Sequence, residues 1–134
     1  LLAFLNHVQD NHIGFIPYVA SGSDSLIALF SKETTRGITL TCPGFYGPQG
    51  RMLRASLAFP QLTEQFSSFT FSGHRITNFE METSGIYGMS HLFGHEALSL
   101  STIVANRVEK KFSSNAHAAV DRLIQLAIEK LIKD

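Results

Sequence analysis

The stretch from Asn78 to Ser84 constrains the fold of this chain most strongly. An apolar segment that reads as a β-strand, residues 75–81, gives way there to a segment with helical spacing. Two carboxylates, Glu80 and Glu82, flank a methionine at this change. Because strand ends are where α/β proteins usually bind ligands, the stretch predicts both the class of fold and the place of a site.

The rest of the chain repeats this alternation of strands and helices. Apolar spacing predicts helices over residues 1–11, 25–30, 60–66 and 83–93, and a final helix behind the capping candidates at 113–115. Strands are predicted over residues 13–19, 38–42, 75–81 and 96–105. Such an order is typical of an α/β sheet layered with helices.

A second candidate segment, residues 43–51, directly follows the strand predicted over 38–42. Its three glycines and two prolines exclude both helix and regular strand. The amide of Gln49 donates and accepts, and Arg51 offers a rigid fork of donors, so the pair suits the carbonyl and N–H edge of a pyrimidine. Phe45 suits stacking on a flat ring or a place in the core. The residues leave open whether the loop binds a ligand or only ties down its own backbone.

The two carboxylates also allow two interpretations. Glu80 and Glu82 lie two residues apart and would point to the same side of a strand. As charged acceptors they suit the vicinal hydroxyls of a ribose. Alternatively, both are acids at the start of a helix, where negative charge is favoured.

Composition narrows the class of ligand. At 134 residues, with 44% apolar and 16% charged residues, the chain is long enough for one globular domain. Lysine plus arginine equals aspartate plus glutamate at 11 each, so no basic field favours nucleic acid. These values favour a small neutral or anionic ligand.

The cysteine count and the length of the apolar stretches predict the cellular location of the protein. Cys42 is a single thiol, which fits a reducing cytosol and a cytoplasmic protein. The apolar stretch 98–105 is much shorter than the ~20 residues of a membrane helix, so we expect no membrane partner. Leu1 already lies in an amphipathic pattern, and we expect the sequence to begin inside a larger protein.

Histidines do not predict a metal site. His91 and His95 have the i, i+4 spacing of a helical pair, but Gly94 is placed to end the helix between them. No acid or cysteine completes a zinc pattern. We therefore expect no metal.

Three motifs together resemble the uridine phosphorylases of the nucleoside phosphorylase superfamily. They are residues 44–51, 78–84 and 103–107, in the family's order and at about its spacings. The resemblance implies a three-layer α/β sheet flanked by helices. Residues 1–134 would then be the C-terminal part of a single domain whose N-terminal half is absent from this chain.

The resemblance also implies the base side of a nucleoside pocket. Gln49 and Arg51 match the residues that bind the uracil edge, and Phe45 matches the aromatic that lines its ring. Ile103 and Val104 match the apolar wall of the base pocket.

The ribose side is implied in the same way. Met81 and Glu82 match the residues that pack on the ribose and hydrogen-bond it, and Glu80 is their neighbour in the same motif. Arg107 matches an arginine that supports the base site. Among these residues, Gln49, Arg51 and Glu82 would carry the catalytic roles.

The family reaction is the reversible phosphorolysis of uridine to uracil and ribose 1-phosphate. It uses phosphate as co-substrate and needs no metal or organic cofactor, and the resemblance implies a homo-oligomer. The family's phosphate-binding residues lie in the N-terminal half, and four arginines of this chain match none of them: Arg36, Arg54, Arg75 and Arg122. We therefore expect this chain alone to be inactive until the missing half completes the sheet.

Two alternatives remain at this point. A purine phosphorylase or nucleosidase would share the fold. Purine-cleaving relatives place an aspartate near the position of Asn106 and Arg107 to protonate the purine, so its absence here favours a pyrimidine. A non-catalytic module that binds a partner is the second alternative.

Overall fold

The computed structural model describes residues 1–14, 16–106 and 109–132. Its helices are α1 (Leu2–Asp10), α2 (Asp24–Phe30), α3 (Leu62–Ser67), α4 (Thr83–Phe93) and α5 (Ala116–Ile132). Its strands are β1 (Ile38–Thr41), β2 (Thr70–Phe71), β3 (His74–Glu80), β4 (Ala105–Asn106) and β5 (Lys111–Phe112). This mixture of helices and strands confirms the predicted α/β class.

The central sheet has the strand order β1-β3-β2. β1 and β3 run parallel, and the register places Thr41 opposite Glu80, while β2 pairs with β3 antiparallel. The N–H of Cys42 donates to the Glu80 carbonyl at 2.8 Å, so the pairing continues one residue past β1. Because parallel strands end at the same edge of a sheet, the segments that follow β1 and β3 emerge side by side.

Within the described residues, an apolar core joins this sheet to α1 and α3. Its buried members are Phe4, Val8, Ile13, Leu40, Cys42, Leu62, Phe66 and Phe69. Phe66 is 2% exposed, and its ring centroid lies 6.1 Å from that of Phe4. The rings of Phe4 and Phe69 meet edge to face at 5.0 Å. Aromatic packing therefore fixes one face of the sheet.

The ends of the helices follow from local chemistry. The Ser23 hydroxyl accepts from the N–H of Leu26 at 3.2 Å, and the Asn115 side chain accepts from the N–H of Ala118 at 3.1 Å. Gly94 ends α4 with a φ of 69°. These residues satisfy backbone groups that a helix end leaves unpaired, and Asn115 and Gly94 confirm the caps predicted at these positions.

Two of the predicted strands are wrong. Residues 13–14 and 16–19 are irregular, and within the range 96–105 only Ala105 belongs to a strand. An apolar, β-branched run forms a strand only where another strand supplies the hydrogen-bond ladder. Here Ser99 donates its N–H to the Tyr87 hydroxyl of α4 at 2.9 Å instead. Conversely, the two-residue strands β2, β4 and β5 are too short to show any periodicity.

The apolar residues whose spacing predicts the last helix are mostly exposed. Val120, Ile124 and Leu131 of α5 are 40%, 52% and 60% exposed, and no residue of α5 is buried. The accessible surface of the chain is 9752 Å², whereas a folded monomer of its mass would expose about 7,000 Å². Much apolar surface on the described helices is therefore uncovered. None of the helices in the described ranges is long and apolar enough to span a membrane.

Replacing Phe66 with alanine should lower the free energy of unfolding by about 3 to 5 kcal/mol, because it opens a cavity in the core. Phe112, which is 84% exposed, is the matched control. The change Phe112→Ala should alter stability by less than about 0.5 kcal/mol. Urea unfolding followed by circular dichroism measures both, and equal losses would contradict the assignment of the core.

Candidate functional site

The two segments singled out in the sequence lie at one edge of the sheet. Residues 43–51 follow β1, and Met81 and Glu82 follow β3. The parallel pairing of these strands, with Thr41 opposite Glu80, places both segments at the carboxyl edge. Ligands of open α/β sheets bind at such edges.

Three side chains of the loop form one unit. The Arg51 Cζ atom lies 3.6 Å from the centroid of the Phe45 ring, in a cation–π contact. Arg51 Nη1 also donates to Gln49 Oε1 at 2.7 Å and to the Phe45 carbonyl. Gln49 is 3% exposed, whereas Phe45 is 50% exposed. The loop therefore holds a guanidinium and an amide in a fixed relation next to a half-exposed aromatic ring.

The backbone of the loop is set by its glycines and prolines. A single 3₁₀ turn spans Gly47–Gln49, with Pro48 near its start. The N–H groups of Gln49 and Arg51 both donate to the Tyr46 carbonyl, at 3.0 and 2.9 Å. Gly50 has a φ of 72°, and a Cβ atom there would lie 2.6 Å from Thr63 Oγ1. Glycine at this position thus lets the loop close against α3.

Glu80 is engaged by the protein itself. Its carboxylate accepts from the Thr41 hydroxyl, from the N–H of Glu82 at 2.7 Å and from the N–H of Thr83 at 2.6 Å. The last two donors belong to the start of α4, so Glu80 performs the capping role that the sequence left open for either acid. The Thr41 hydroxyl in turn accepts from the N–H of Ser84 at 2.9 Å.

These hydrogen bonds change the acidity of Glu80. Partial burial raises its pKa and is the largest single effect. The donors on Thr41, Glu82 and Thr83 together outweigh it and bring the pKa below the ordinary value of 4.5. Glu80 is therefore a carboxylate at neutral pH.

Glu82 and Met81 are more open. Glu82 is exposed, Met81 is 42% exposed, and Glu82 Oε2 accepts from the N–H of Met81 at 3.1 Å. A groove of about 620 Å³ runs from Glu82 along α4, where it is lined by Ile86, Met89 and Phe93. Glu82 is thus available to a ligand at the sheet edge.

Residues 103–106 of the third predicted motif belong to the β4–β5 hairpin or directly precede it. Ile103 and Val104 are 54% and 40% exposed and directly precede β4. The Val104 carbonyl accepts from the N–H of Ser113 at 2.9 Å, which ties this motif to the β4–β5 hairpin. Arg107 lies outside the described residues.

Two hydroxyl residues were missed by the sequence reasoning. Thr41 bridges the strand ends, and the Tyr18 hydroxyl lies 2.7 Å from Ser84 Oγ at the start of α4. Thr41 had a signal in the sequence. It follows Thr39 with a period of two, and the Thr39 hydroxyl donates to Asn78 Oδ1 at 2.8 Å, so two threonines face two polar residues of β3. Tyr18 had no comparable signal.

Comparisons with known proteins place this fold among the nucleoside phosphorylases. The chain superposes on a crystal structure of a Trypanosoma brucei nucleoside phosphorylase, described as showing uridine phosphorylase activity, with a TM-score of 0.85 and 25% sequence identity. The match covers 99% of this chain and 49% of that chain. It confirms the nucleoside phosphorylase fold, of which this chain spans about half.

A curated relative agrees with the structural match. The uridine phosphorylase of Thermococcus kodakarensis is 34% identical over an alignment of 82 residues, and the match covers 57% of this chain and 27% of that protein. No protein-family model matches the chain. The resemblance drawn from the three motifs is confirmed by these two proteins.

The change Glu80→Gln should destabilise the protein at pH 7, and the loss should shrink as the pH falls. Because the pKa of Glu80 is lowered on folding, its contribution is complete above its ordinary value of 4.5 and disappears as the pH falls through the folded value. Urea unfolding of both proteins between pH 7 and about pH 3 measures this.

Glu109→Gln is the control substitution for the pH series with Glu80→Gln. Glu109 pairs with Lys111 at 3.0 Å on the surface, where such pairs contribute about 0 to 1 kcal/mol. A difference between wild type and Glu80→Gln that stays constant with pH would contradict the role given to the Glu80 carboxylate.

Proposed function

We propose that this chain carries the base and ribose sides of a uridine phosphorylase site. The observation that supports this most is the side-by-side emergence of the two motifs from β1 and β3. The two matching proteins, a uridine phosphorylase and a nucleoside phosphorylase with uridine phosphorylase activity, support the same reaction class, a pentosyl transfer from uridine to phosphate.

On the base side, Gln49 and Arg51 are the proposed donors to the uracil edge. Breaking the N-glycosidic bond leaves negative charge on the departing base, and donors aimed at its oxygens stabilise that charge in the transition state. The Arg51–Gln49 hydrogen bond of 2.7 Å supports this, because it orients the amide before a ligand arrives. The half-exposed Phe45 ring is the proposed stacking surface.

On the ribose side, Glu82 is the proposed acceptor for the sugar hydroxyls. Its exposed carboxylate makes stronger hydrogen bonds than a neutral acceptor would. Its negative charge also opposes the positive charge that develops on the ribose as the bond breaks. Met81 packs on the sugar beside it, and Glu80 completes the motif.

The remaining roles follow the resemblance. Ile103 and Val104 form the apolar wall of the base pocket in this proposal, and Arg107 supports the base. Asn106 stands near the position of the aspartate of purine-cleaving relatives, and its side chain accepts from the N–H of Glu109 at 3.1 Å. The absence of that aspartate here, and not the contact itself, favours a pyrimidine substrate in this proposal. Phosphate is the co-substrate, with no metal or organic cofactor, in a cytoplasmic homo-oligomer active in pyrimidine salvage.

The proposal requires further polypeptide for activity. The chain spans 49% of the solved relative. The resemblance implies that the family's phosphate site lies in the N-terminal half, outside this chain. The uncovered surface supports this, since 9752 Å² exceeds the ~7,000 Å² of a monomer of this mass by more than a standard protein interface buries. This chain alone should therefore bind nucleoside weakly and release no uracil.

The protein in its naturally produced, full-length form should release uracil from uridine only when phosphate is present. Liquid chromatography of uracil and ribose 1-phosphate, with and without phosphate, measures this directly. Uridine and inosine should be compared under the same conditions. Equal rates without phosphate would indicate a hydrolase, and a preference for inosine would contradict the pyrimidine assignment.

The change Glu82→Gln in that protein should lower kcat/KM for uridine about 10- to 100-fold, because a hydrogen bond to a charged group contributes about 1.5 to 3 kcal/mol. Glu109→Gln, an acid of the β4–β5 turn, should leave kcat/KM within about twofold. An unchanged rate for Glu82→Gln would remove Glu82 from the site.

A further inference from the structure

The carboxylate of Glu80 and the hydroxyl of Thr41 form a closed hydrogen-bond ring at the sheet edge. We propose that this ring positions Glu82, so that Glu80 acts on the ribose through its neighbour and is a positioning residue instead of a sugar ligand. The inference rests on the proposed function and deepens it. In this proposal Thr41 and Glu80 determine the position of Glu82, the acid that binds the ribose, and they need not touch the substrate themselves.

Both oxygens of Glu80 are used within the protein. Oε1 accepts from the Thr41 hydroxyl, and Oε2 accepts from the N–H groups of Glu82 and Thr83 at 2.7 and 2.6 Å. Hydrogen bonds to an ionised acceptor are among the stronger ones in proteins. A sugar hydroxyl would have to compete with three donors that are already in place. Glu82 has an exposed carboxylate, on which a sugar hydroxyl would meet a single donor, the N–H of Met81 at 3.1 Å from Oε2.

The Thr41 hydroxyl closes the ring. It donates to Glu80 and accepts from the N–H of Ser84 at 2.9 Å, so its donor and one of its two acceptor positions are used. The ring thus joins the last residue of β1, the last residue of β3 and the first turn of α4. The backbone N–H groups of Glu82 and of the residue after it are both held.

The consequence is a fixed path for the chain through Glu82. Glu82 has φ −128° and ψ −34°, outside regular helix, at the position where the strand becomes α4. Holding the peptide groups on both sides of Glu82 fixes the direction in which its side chain leaves the backbone. β1 continues into the loop that carries Gln49 and Arg51, the proposed donors to the base. The same ring therefore also fixes the position of Glu82 relative to these two residues. A catalytic group displaced by about 1 Å can cost about 100-fold in rate.

The strands provide a matched set of variants. Thr41→Val removes the hydroxyl and nearly keeps the shape, Thr41→Ser restores a hydroxyl, and Glu80→Gln removes the charge. Thr39→Val is the control, because the Thr39 hydroxyl bonds Asn78 at 2.8 Å in the same pair of strands, two residues before the ring.

Calorimetric binding of uridine and of uracil by the naturally produced protein tests the proposal. Thr41→Val and Glu80→Gln should weaken uridine about tenfold or more and change uracil less than about threefold, since a misplaced Glu82 affects only the sugar. Retained uracil binding also shows that the variant is folded. Thr41→Ser should recover most of the uridine affinity, and Thr39→Val should not lower it.

A double variant tests whether Thr41 acts through Glu82. If it does, Thr41→Val should weaken uridine by less than about twofold when Glu82→Gln is already present, because coupled residues are non-additive. Full additivity would overturn the proposal. Normal uridine binding by Thr41→Val would overturn it too, and loss of uridine with Glu80→Gln but not with Thr41→Val would make Glu80 a direct ligand.

A second readout separates this inference from the proposed function. If wild type binds neither uridine nor uracil, the proposed function fails. The ring is then tested by amide hydrogen exchange at residues 82–84. Exchange there should become faster in Thr41→Val and Glu80→Gln and stay unchanged in Thr39→Val, and equal exchange in all variants would show that the ring does not hold this backbone.

Discussion

The parallel pairing of β1 with β3 is the interaction on which the rest of the structure depends. It places Thr41 opposite Glu80, and the Cys42 N–H extends it by one more bond to the Glu80 carbonyl. The same strands carry core residues on one side and the two motifs at their ends. A register slip of one residue would reverse which side chains face the core and would also separate Thr41 from Glu80. The register of β1 against β3 therefore determines both the core and the candidate site.

The two acids at the sheet edge have different environments although they are only two residues apart. Glu80 is partly buried, accepts from three groups of the protein and has a lowered pKa. Glu82 is exposed and opens on the groove beside α4. One acid thus organises the backbone and the other is available for chemistry. This division follows from where the strand ends and the helix begins.

Local signals in the sequence predicted the sheet edge well. The change of periodicity at residues 78–84 and the glycines and prolines of 43–51 marked both segments, and Gly94 marked the end of α4. Such features depend on nearby residues, so sequence alone contains them. The hydrogen-bond partners of Thr41 and Tyr18 lie 39 and 66 positions away, so the period-two spacing of Thr39 and Thr41 marks a polar strand face without identifying its partner.

Long-range pairing also explains the errors. Residues 96–104 have the composition of a strand, but a ladder partner decides whether they become one, and here they bond to α4 and α2 instead. The stripe on α5 was predicted correctly as a pattern, whereas its exposure could not be, because burial depends on what packs against the helix. The third motif is tied to a hairpin, and Arg107 lies outside the described residues.

The most direct test of the account is a ¹H–¹⁵N NMR titration of the protein with uridine. The Gln49 side-chain amide and the backbone amides of Glu82 and Thr83 should shift together along one binding curve, because one nucleoside would span both strand ends. Uracil should shift the Gln49 amide and leave the other two nearly unchanged. Shifts confined to one segment, or separate binding curves for the two, would contradict a single nucleoside pocket at this edge of the sheet.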